Sequence, residues 1–170
     1  MSETFYLYGL DISLKCPGVA VYDIKAKEFV YIGSFNTDKI YATKENKGLE
    51  IHALKLKKIA DWLRPIIKQY PPSLVAIERM FIHNKHKNEA PVIAKATGVV
   101  QVMFWSVPQF LYPPTTVKKE IIKGNAGKDV IAEEILKRYP DLEFANDDES
   151  DAVAVALCHL IQTGFIKWEK

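Results

Sequence analysis

The chain is predicted to fold as a mixed α/β domain, with helices on both faces of one five-stranded sheet. Three short apolar and aromatic runs come first, and two further short runs alternate with longer segments of helical periodicity. Strands joined by short turns are typical of an antiparallel meander, whereas strands separated by helices are typical of parallel pairing. These patterns indicate a mixed sheet within a single domain spanning residues 1–170.

The strands are predicted from short apolar stretches bounded by polar or turn residues. Residues 5–13, 18–23 and 28–35 predict the meander, and residues 74–77 and 109–112 predict two further strands. The run 74–77 is short and apolar until its last residue, as expected of a central parallel strand.

Helices are predicted where apolar residues recur at intervals of three and four residues. Pro65 should kink or end the first helix early, and Thr115 is the expected cap of the third. The predicted helices cover residues 49–70, 90–107, 117–122, 129–139 and 150–163.

Composition excludes several classes of protein. Of the 170 residues, 48% are apolar and 26% are charged, which is ordinary for a globular domain. No stretch approaches the ~20 apolar residues of a membrane span, and the first residues lack the pattern of a secretory signal. The two cysteines, Cys16 and Cys158, lie far apart and neither has a recognisable base partner. We therefore expect a cytoplasmic protein without a disulfide framework or cysteine catalysis.

Lysines form local clusters although the net charge is only +2. Such clusters can neutralise phosphates even when acidic residues elsewhere cancel the total charge. Solvated helix faces and loops are the alternative interpretation, and composition by itself favours it. The clusters comprise Lys55, Lys57 and Lys58, then Lys85 and Lys87, then Lys118, Lys119, Lys123 and Lys128.

Carboxylates stand in unusually apolar surroundings at several positions. Asp11 lies within the first strand, Glu78 ends the apolar run at 74–77, and Asp148 and Asp151 flank the start of the last helix. A spacing of three residues places the last two on one helix face. An isolated carboxylate in such company is unfavourable unless it is paired, hydrogen-bonded or bound to a metal.

The four acids together predict a metal site at one end of the sheet. Ligation by oxygen alone, without supporting histidines or cysteines, points to magnesium or manganese rather than zinc. Each acid also has a structural interpretation: Asp148 and Asp151 as helix caps, and Glu78 as a solvated strand end. Asp11 is the hardest to explain structurally, because an aspartate in mid-strand has little structural use.

Four regions of the chain carry motifs, in this order: GLDIS (9–13) with GVAVY (18–22), AIERMF (76–81), YPPTTVKK (112–119) with residues 124–128, and DESDAVAVA (148–156). Together these motifs resemble those of the RuvC-type Holliday junction resolvases within the ribonuclease H-like superfamily, and the likeness spans nearly the whole chain. One departure is Ile12-Ser13, where many bacterial members have Pro-Gly, and looser patterns of this kind are expected of phage-encoded relatives.

The resemblance implies a nuclease that cuts branched DNA with metal ions, leaving a 5′-phosphate and a 3′-hydroxyl. Asp11, Glu78, Asp148 and Asp151 carry over as ligands of two Mg²⁺ ions ~4 Å apart, with Mn²⁺ as a substitute and Asp11 as the bridging ligand. No small-molecule cofactor is expected.

Basic and aromatic residues carry over as the DNA-binding set. Phe81 is expected to stack against unpaired bases, and Lys118 and Lys128 to lie near the scissile phosphate, where Lys118 would join the acids in catalysis. Lys128 aligns only with a one-residue gap. Flanking residues complete the predicted DNA-binding set: Arg79, Lys85, Lys87, Lys119 and Lys123.

The family acts as a homodimer on four-way junctions, whose two-fold symmetry a homodimer matches. The apolar helix predicted at 90–107 is a candidate for the dimer contact, and core packing is an equally good interpretation of it. His83 and His86 lie in a basic loop that favours phosphate contact over metal binding. His159 is expected to be a packing residue.

Three other functions remain open at this stage. Another ribonuclease H-like nuclease would act on RNA–DNA hybrids or flaps, and a non-catalytic module would only bind branched DNA. An ATP-using enzyme of the actin-like and sugar-kinase group has a similar first strand, but those proteins normally contain two such domains.

Overall fold

The computed structural model describes residues 4–41, 43–45, 50–79, 90–122 and 129–168. Its strands are β1 (Tyr6–Asp11), β2 (Gly18–Asp23), β3 (Glu28–Ser34), β4 (Pro72–Glu78) and β5 (Gln109–Tyr112). Its helices are α1 (Ile51–Gln69), α2 (Ala90–Met103), α3 (Pro114–Ile121), α4 (Asp129–Leu136) and α5 (Asp147–Gln162).

The strands form one sheet in the order β3-β2-β1-β4-β5 within the described residues. β1, β2 and β3 pair antiparallel, whereas β4 pairs parallel with β1 and β5 pairs parallel with β4. The predicted meander and the predicted mixed five-stranded sheet are confirmed.

Helices cover both faces of the sheet because side chains alternate between the faces along each strand. Leu7 of β1 packs in the core beneath α3, α4 and α5. Tyr8 and Leu10, which point to the opposite face, pack in the second core with residues of α1 and α2. None of the described helices is long and apolar enough to cross a membrane.

Helix α5 lies directly on the backbones of β1 and β2. A Cβ atom added at Gly9 would lie 2.3 Å from the Ala152 carbonyl oxygen, and one added at Gly18 would lie 2.0 Å from the Asp148 carbonyl oxygen. Both distances are shorter than van der Waals contact, so only glycine permits this approach. The start of α5 is therefore held close to the ends of β1 and β2.

Pro65 does not end α1 early, since the helix continues to Gln69, and the alternative of a kink at Pro65 stays a prediction. Pro65 is exposed, so water can replace the hydrogen bond that its missing N–H group cannot make. Leu63 and Ile66 on either side of it are buried against the sheet, and their packing keeps this turn helical.

The prediction that Thr115 caps α3 is wrong. The helix begins at Pro114, its N-cap position is Pro113, and no side chain provides a capping hydrogen bond. A proline at the first helical position is favourable because its fixed φ suits the helix and its N–H group is not needed there.

Gly9→Ala should lower the free energy of unfolding by about 1–3 kcal/mol, the range for overpacking a tightly packed core. Gly98→Ala in α2 is the matched control, because a Cβ atom there meets nothing within 4 Å. That control should stabilise the helix by about 0.5–1 kcal/mol. Urea unfolding followed by circular dichroism measures both changes, and a neutral Gly9→Ala would contradict the close packing of α5.

Candidate active site

The two central strands place Asp11 and Glu78 side by side. In the parallel pair of β1 and β4, Leu10 lies opposite Ile77, and Asp11 and Glu78 are the next residues of the two strands. Because side chains alternate along a strand, both acids point to the face that carries α5.

The same row continues across the antiparallel strands. Asp11 pairs with Gly18 of β2, and Gly18 pairs with Ser34 of β3. The absence of a side chain at Gly18 leaves room for the Asp148 backbone above it. The row therefore joins two carboxylates of the sheet to the first turn of α5.

Helix α5 begins at Asp147, earlier than the predicted residue 150, because Asn146 is its N-cap. The Asn146 side chain accepts a hydrogen bond from the Glu149 N–H group at 3.2 Å. Neither Asp148 nor Asp151 is therefore the capping residue. Their spacing of three residues places both on the side of α5 that faces β1.

The electrostatics of Asp11 show that the four predicted acids lie together. Burial raises the pKa of Asp11 well above its usual range, and the charges of Glu78, Asp151 and Asp148 raise it further, as does a side-chain hydrogen bond with Glu78. Like charges at this separation repel unless a proton or a cation lies among them.

A cavity of about 200 Å³ adjoins these four acids, which we call the carboxylate cluster, and a lysine side chain also lines it. Glu78, Asp151 and Lys118 line it, and Pro114, Val117 and Ile131 form the rest of its wall. Lys118 projects from α3, so its ammonium group is placed where it can attract an anionic substrate toward the acids.

The carboxylate cluster fits a hard divalent cation in charge and in donor chemistry. Its members, Asp11, Glu78, Asp148 and Asp151, offer oxygen atoms only, which is the donor set of magnesium and manganese. Within the residues that the structure describes, no three acidic, histidine or cysteine side chains are spaced to share an ion as they stand. A cation bound there would neutralise the charges of Glu78, Asp151 and Asp148, which raise the pKa of Asp11.

The other predicted site residues are placed only in part. Arg79 follows Glu78, is exposed, and its backbone N–H group donates to the Tyr112 carbonyl oxygen at 2.7 Å. Lys119 is exposed on α3. The remaining DNA-binding candidates and the two loop histidines lie outside the described residues: Phe81, His83, Lys85, His86, Lys87, Lys123 and Lys128.

The surroundings of Cys16 and His159 indicate that both residues have structural roles. Burial raises the pKa of the Cys16 thiol to about 11, and a hydrogen bond to Asp148 contributes, so the thiol is neutral at physiological pH. His159 is buried, its pKa is lowered by burial, and its Nδ1 atom lies 2.8 Å from the Tyr112 hydroxyl. The prediction that His159 is a packing residue is confirmed.

Sequence reasoning missed Glu149, a buried carboxylate between Asp148 and Asp151. Its oxygen atoms accept hydrogen bonds from the Ser34 hydroxyl and from the Ala145 N–H group. The signal was present in the sequence, because an acid three residues after a capping residue is the spacing of a capping box. That spacing does not reveal the partner on β3.

Comparison with known proteins identifies similar chains over nearly the whole length. The sequence profile of the family described as crossover junction endodeoxyribonuclease RuvC matches residues 7–159. The crossover junction endodeoxyribonuclease RuvC of Methylobacillus flagellatus is 32% identical over 162 residues, which cover 92% of this chain and 87% of that protein. The one from Gluconobacter oxydans is 27% identical over 158 residues, covering 90% and 88%.

A solved structure is similar in fold. The structure described as "T. thermophilus RuvC in complex with Holliday junction substrate" aligns with a TM-score of 0.74 at 19% identity, over 95% of this chain and 97% of that one. The predicted ribonuclease H-like fold is thereby confirmed.

Asp11→Asn should raise the melting temperature of the metal-free protein near neutral pH. The folded state holds the Asp11 proton more tightly than the unfolded state, so the associated stability is complete below pH 3.8 and is lost as the pH rises through the raised pKa. The variant lacks this loss, so its advantage should vanish in acid.

Differential scanning calorimetry across this pH range measures the effect. Asp38→Asn is the matched control, because Asp38 is an exposed aspartate paired with Lys15 at 3.5 Å and its replacement should give no gain. An Asp11→Asn protein less stable than the wild type at neutral pH would contradict the proposed repulsion.

Proposed function

The chain belongs to the RuvC family of crossover junction endodeoxyribonucleases, and from this premise we propose that it resolves four-way DNA junctions by hydrolysing phosphodiester bonds at the carboxylate cluster. The observation that carries the proposal is the convergence of Asp11, Glu78, Asp148 and Asp151 beside Lys118. The family match over residues 7–159 also supports a single nuclease domain.

The four acids are the proposed ligands of two Mg²⁺ ions, for which Mn²⁺ can substitute. Asp11 is the proposed shared ligand, because Glu78, Asp151 and Asp148 all act on its carboxyl group. Divalent cations bound there would supply Lewis-acid activation for the hydrolysis of a phosphodiester.

Lys118 is proposed to act on the phosphate rather than on the metal ligands. Its side chain lines the same cavity as Glu78 and Asp151, whose negative charges would otherwise repel DNA. A lysine at this position offsets that repulsion and stabilises the charge that develops on the phosphate oxygens during attack.

Branched DNA is the proposed substrate, with a 5′-phosphate and a 3′-hydroxyl as the product ends. Arg79 and Lys119, both exposed and adjacent to residues of the cavity, are proposed contacts to the DNA backbone. Phe81 is proposed to stack on unpaired bases, which can contribute ~1–3 kcal/mol per base. DNA binding is also proposed for four lysines: Lys85, Lys87, Lys123 and Lys128.

A homodimer is proposed because a four-way junction presents two equivalent strands for cleavage. The end of α2 and the turn after it expose apolar side chains: Val102 is 70% exposed and Trp105 is 80% exposed. Their neighbours Val100 and Phe104 are buried in the core beneath them. The segment is therefore compatible with both core packing and a dimer contact, because one face packs in the core and the other is exposed to a second copy.

Asp11→Asn should bind a labelled four-way junction but cut it at least roughly a hundredfold more slowly, the scale for removing one electrostatic stabiliser. Binding should persist because contacts from basic residues to phosphates supply most of the affinity. Gel-shift and cleavage assays with magnesium, and with a chelator as the control, measure the two properties separately.

The same assay on a fork, a flap, a linear duplex and an RNA–DNA hybrid tests the substrate class. Cleavage confined to branched DNA is the expected result. Faster cutting of the hybrid would overturn the junction assignment, and wild-type cutting by Asp11→Asn would remove Asp11 from the chemistry.

Trp105→Glu should convert the protein from a dimer to a monomer, because it places a charge within an apolar contact. Light scattering coupled to size-exclusion chromatography measures the mass directly. Phe165→Glu is the matched control, since Phe165 is also an exposed aromatic, at 57%, but lies after α5. A dimer that survives Trp105→Glu would rule out this contact.

A further inference from the structure

A closed ring of hydrogen bonds joins the end of β3 to the first turn of α5. The Ser34 hydroxyl donates to Glu149 Oε1 at 3.0 Å and accepts from Asn146 Nδ2 at 2.8 Å. The Glu149 N–H group donates to Asn146 Oδ1 at 3.2 Å, which closes the ring. In addition, Glu149 Oε2 accepts from the Ala145 N–H group at 2.8 Å.

The carboxylate of Glu149 is committed to this ring and not to the cavity. The residue is only 8% exposed, and each of its two oxygen atoms has a donor. A buried carboxylate satisfied in this way is stable in its place, and breaking one of its bonds would leave an uncompensated charge. Glu149 therefore differs in role from Asp148 beside it, although both belong to the same turn.

The ring stands at the end of the row that carries the carboxylate cluster. Ser34 pairs with Gly18 across β2 and β3, and Gly18 pairs with Asp11 across β1 and β2. The Asp148 backbone rests on Gly18, one residue away from Glu149 in the chain. The ring thus fastens the first turn of α5 to the sheet beside the acids that must stay together.

The ring opposes the electrostatic repulsion between carboxylates of the sheet and carboxylates of α5. Asp148 and Asp151 on the helix act on Asp11 of the sheet as like charges, which tends to push the start of α5 away from β1. The ring opposes that displacement by tying the same helical turn to β3. Ligands held in place before the cation arrives bind it more tightly, because less ordering remains to be done on binding.

We propose that Ser34, Glu149 and Asn146 are positioning residues that hold Asp148 and Asp151 in register with Asp11 and Glu78 for a divalent cation. The inference rests on the proposed function of those four acids as metal ligands. In this proposal β3 contributes to metal affinity, although none of the proposed ligands lies on it.

Manganese binding by the metal-free full-length chain tests the proposal by isothermal titration calorimetry. Ser34→Ala breaks the ring without changing any charge, and should weaken Mn²⁺ binding about tenfold, as is typical when a residue that orients metal ligands is lost. Glu149→Gln keeps the size but puts an NH₂ group where an acceptor oxygen was, and should weaken binding similarly. Ser34→Thr retains the hydroxyl and should restore the affinity.

Two matched controls separate positioning from general stability. Ser73→Ala removes a hydroxyl that accepts from the Tyr6 N–H group at 3.3 Å, at the opposite end of β1. Asp23→Asn alters a buried carboxylate that accepts from the N–H groups of Lys25 and Ala26, at the far end of β2. Both changes should lower the free energy of unfolding, as Ser34→Ala should, yet leave Mn²⁺ affinity at the wild-type value.

Titrating Asp148→Asn in the same way distinguishes a failure of the positioning role from a failure of the proposed metal site. Wild-type Mn²⁺ affinity in Ser34→Ala and Glu149→Gln, together with a loss in Asp148→Asn, would overturn the positioning role and leave the proposed metal site intact. Wild-type affinity in Asp148→Asn would overturn the proposed site and this inference with it. Equal weakening by Ser73→Ala would show that the effect is general destabilisation, which also overturns the inference.

Discussion

The contact between the first turn of α5 and the backbones of β1 and β2 is the constraint on which the rest of the site depends. It exists because Gly9 and Gly18 have no side chains to hold the helix away. The approach brings the two aspartates of α5 onto the two acids of the sheet. The electrostatic interaction of Asp11 with Asp148 and Asp151 follows from that approach.

This contact is held against an electrostatic force. Burial and three neighbouring carboxylates raise the pKa of Asp11, so the site without a cation is a place of repulsion within the fold. Three features of the structure oppose it: the Asn146 cap, the positive end of the α5 dipole, and the apolar packing of the rest of α5. The packing of the protein thus holds together carboxylates whose repulsion a proton or a bound cation would relieve.

The two faces of the sheet carry different parts of the proposed function. On one face, Lys118 of α3, Asp151 of α5 and Ile131 of α4 line the cavity. On the other face, α1 and α2 bury the second core, and the end of α2 leaves Trp105 exposed. The carboxylate cluster and the proposed dimer contact therefore lie on different faces of the sheet.

Local pattern in the sequence determined the five strands, the order of the elements and the identity of the four acids, because hydrophobic periodicity and carboxylates in apolar runs are readable over short distances. The start of α3 was mispredicted at Thr115, because the fixed φ of Pro114 suits the first helical position, and α1 does not end early at the exposed Pro65. Only the tertiary structure decided that Glu149 reaches Ser34, that Lys118 shares a cavity with Glu78, and that the turn after α2 exposes Trp105. These are contacts between segments distant in the chain, and they depend on strand register and helix approach, which no short stretch of sequence encodes.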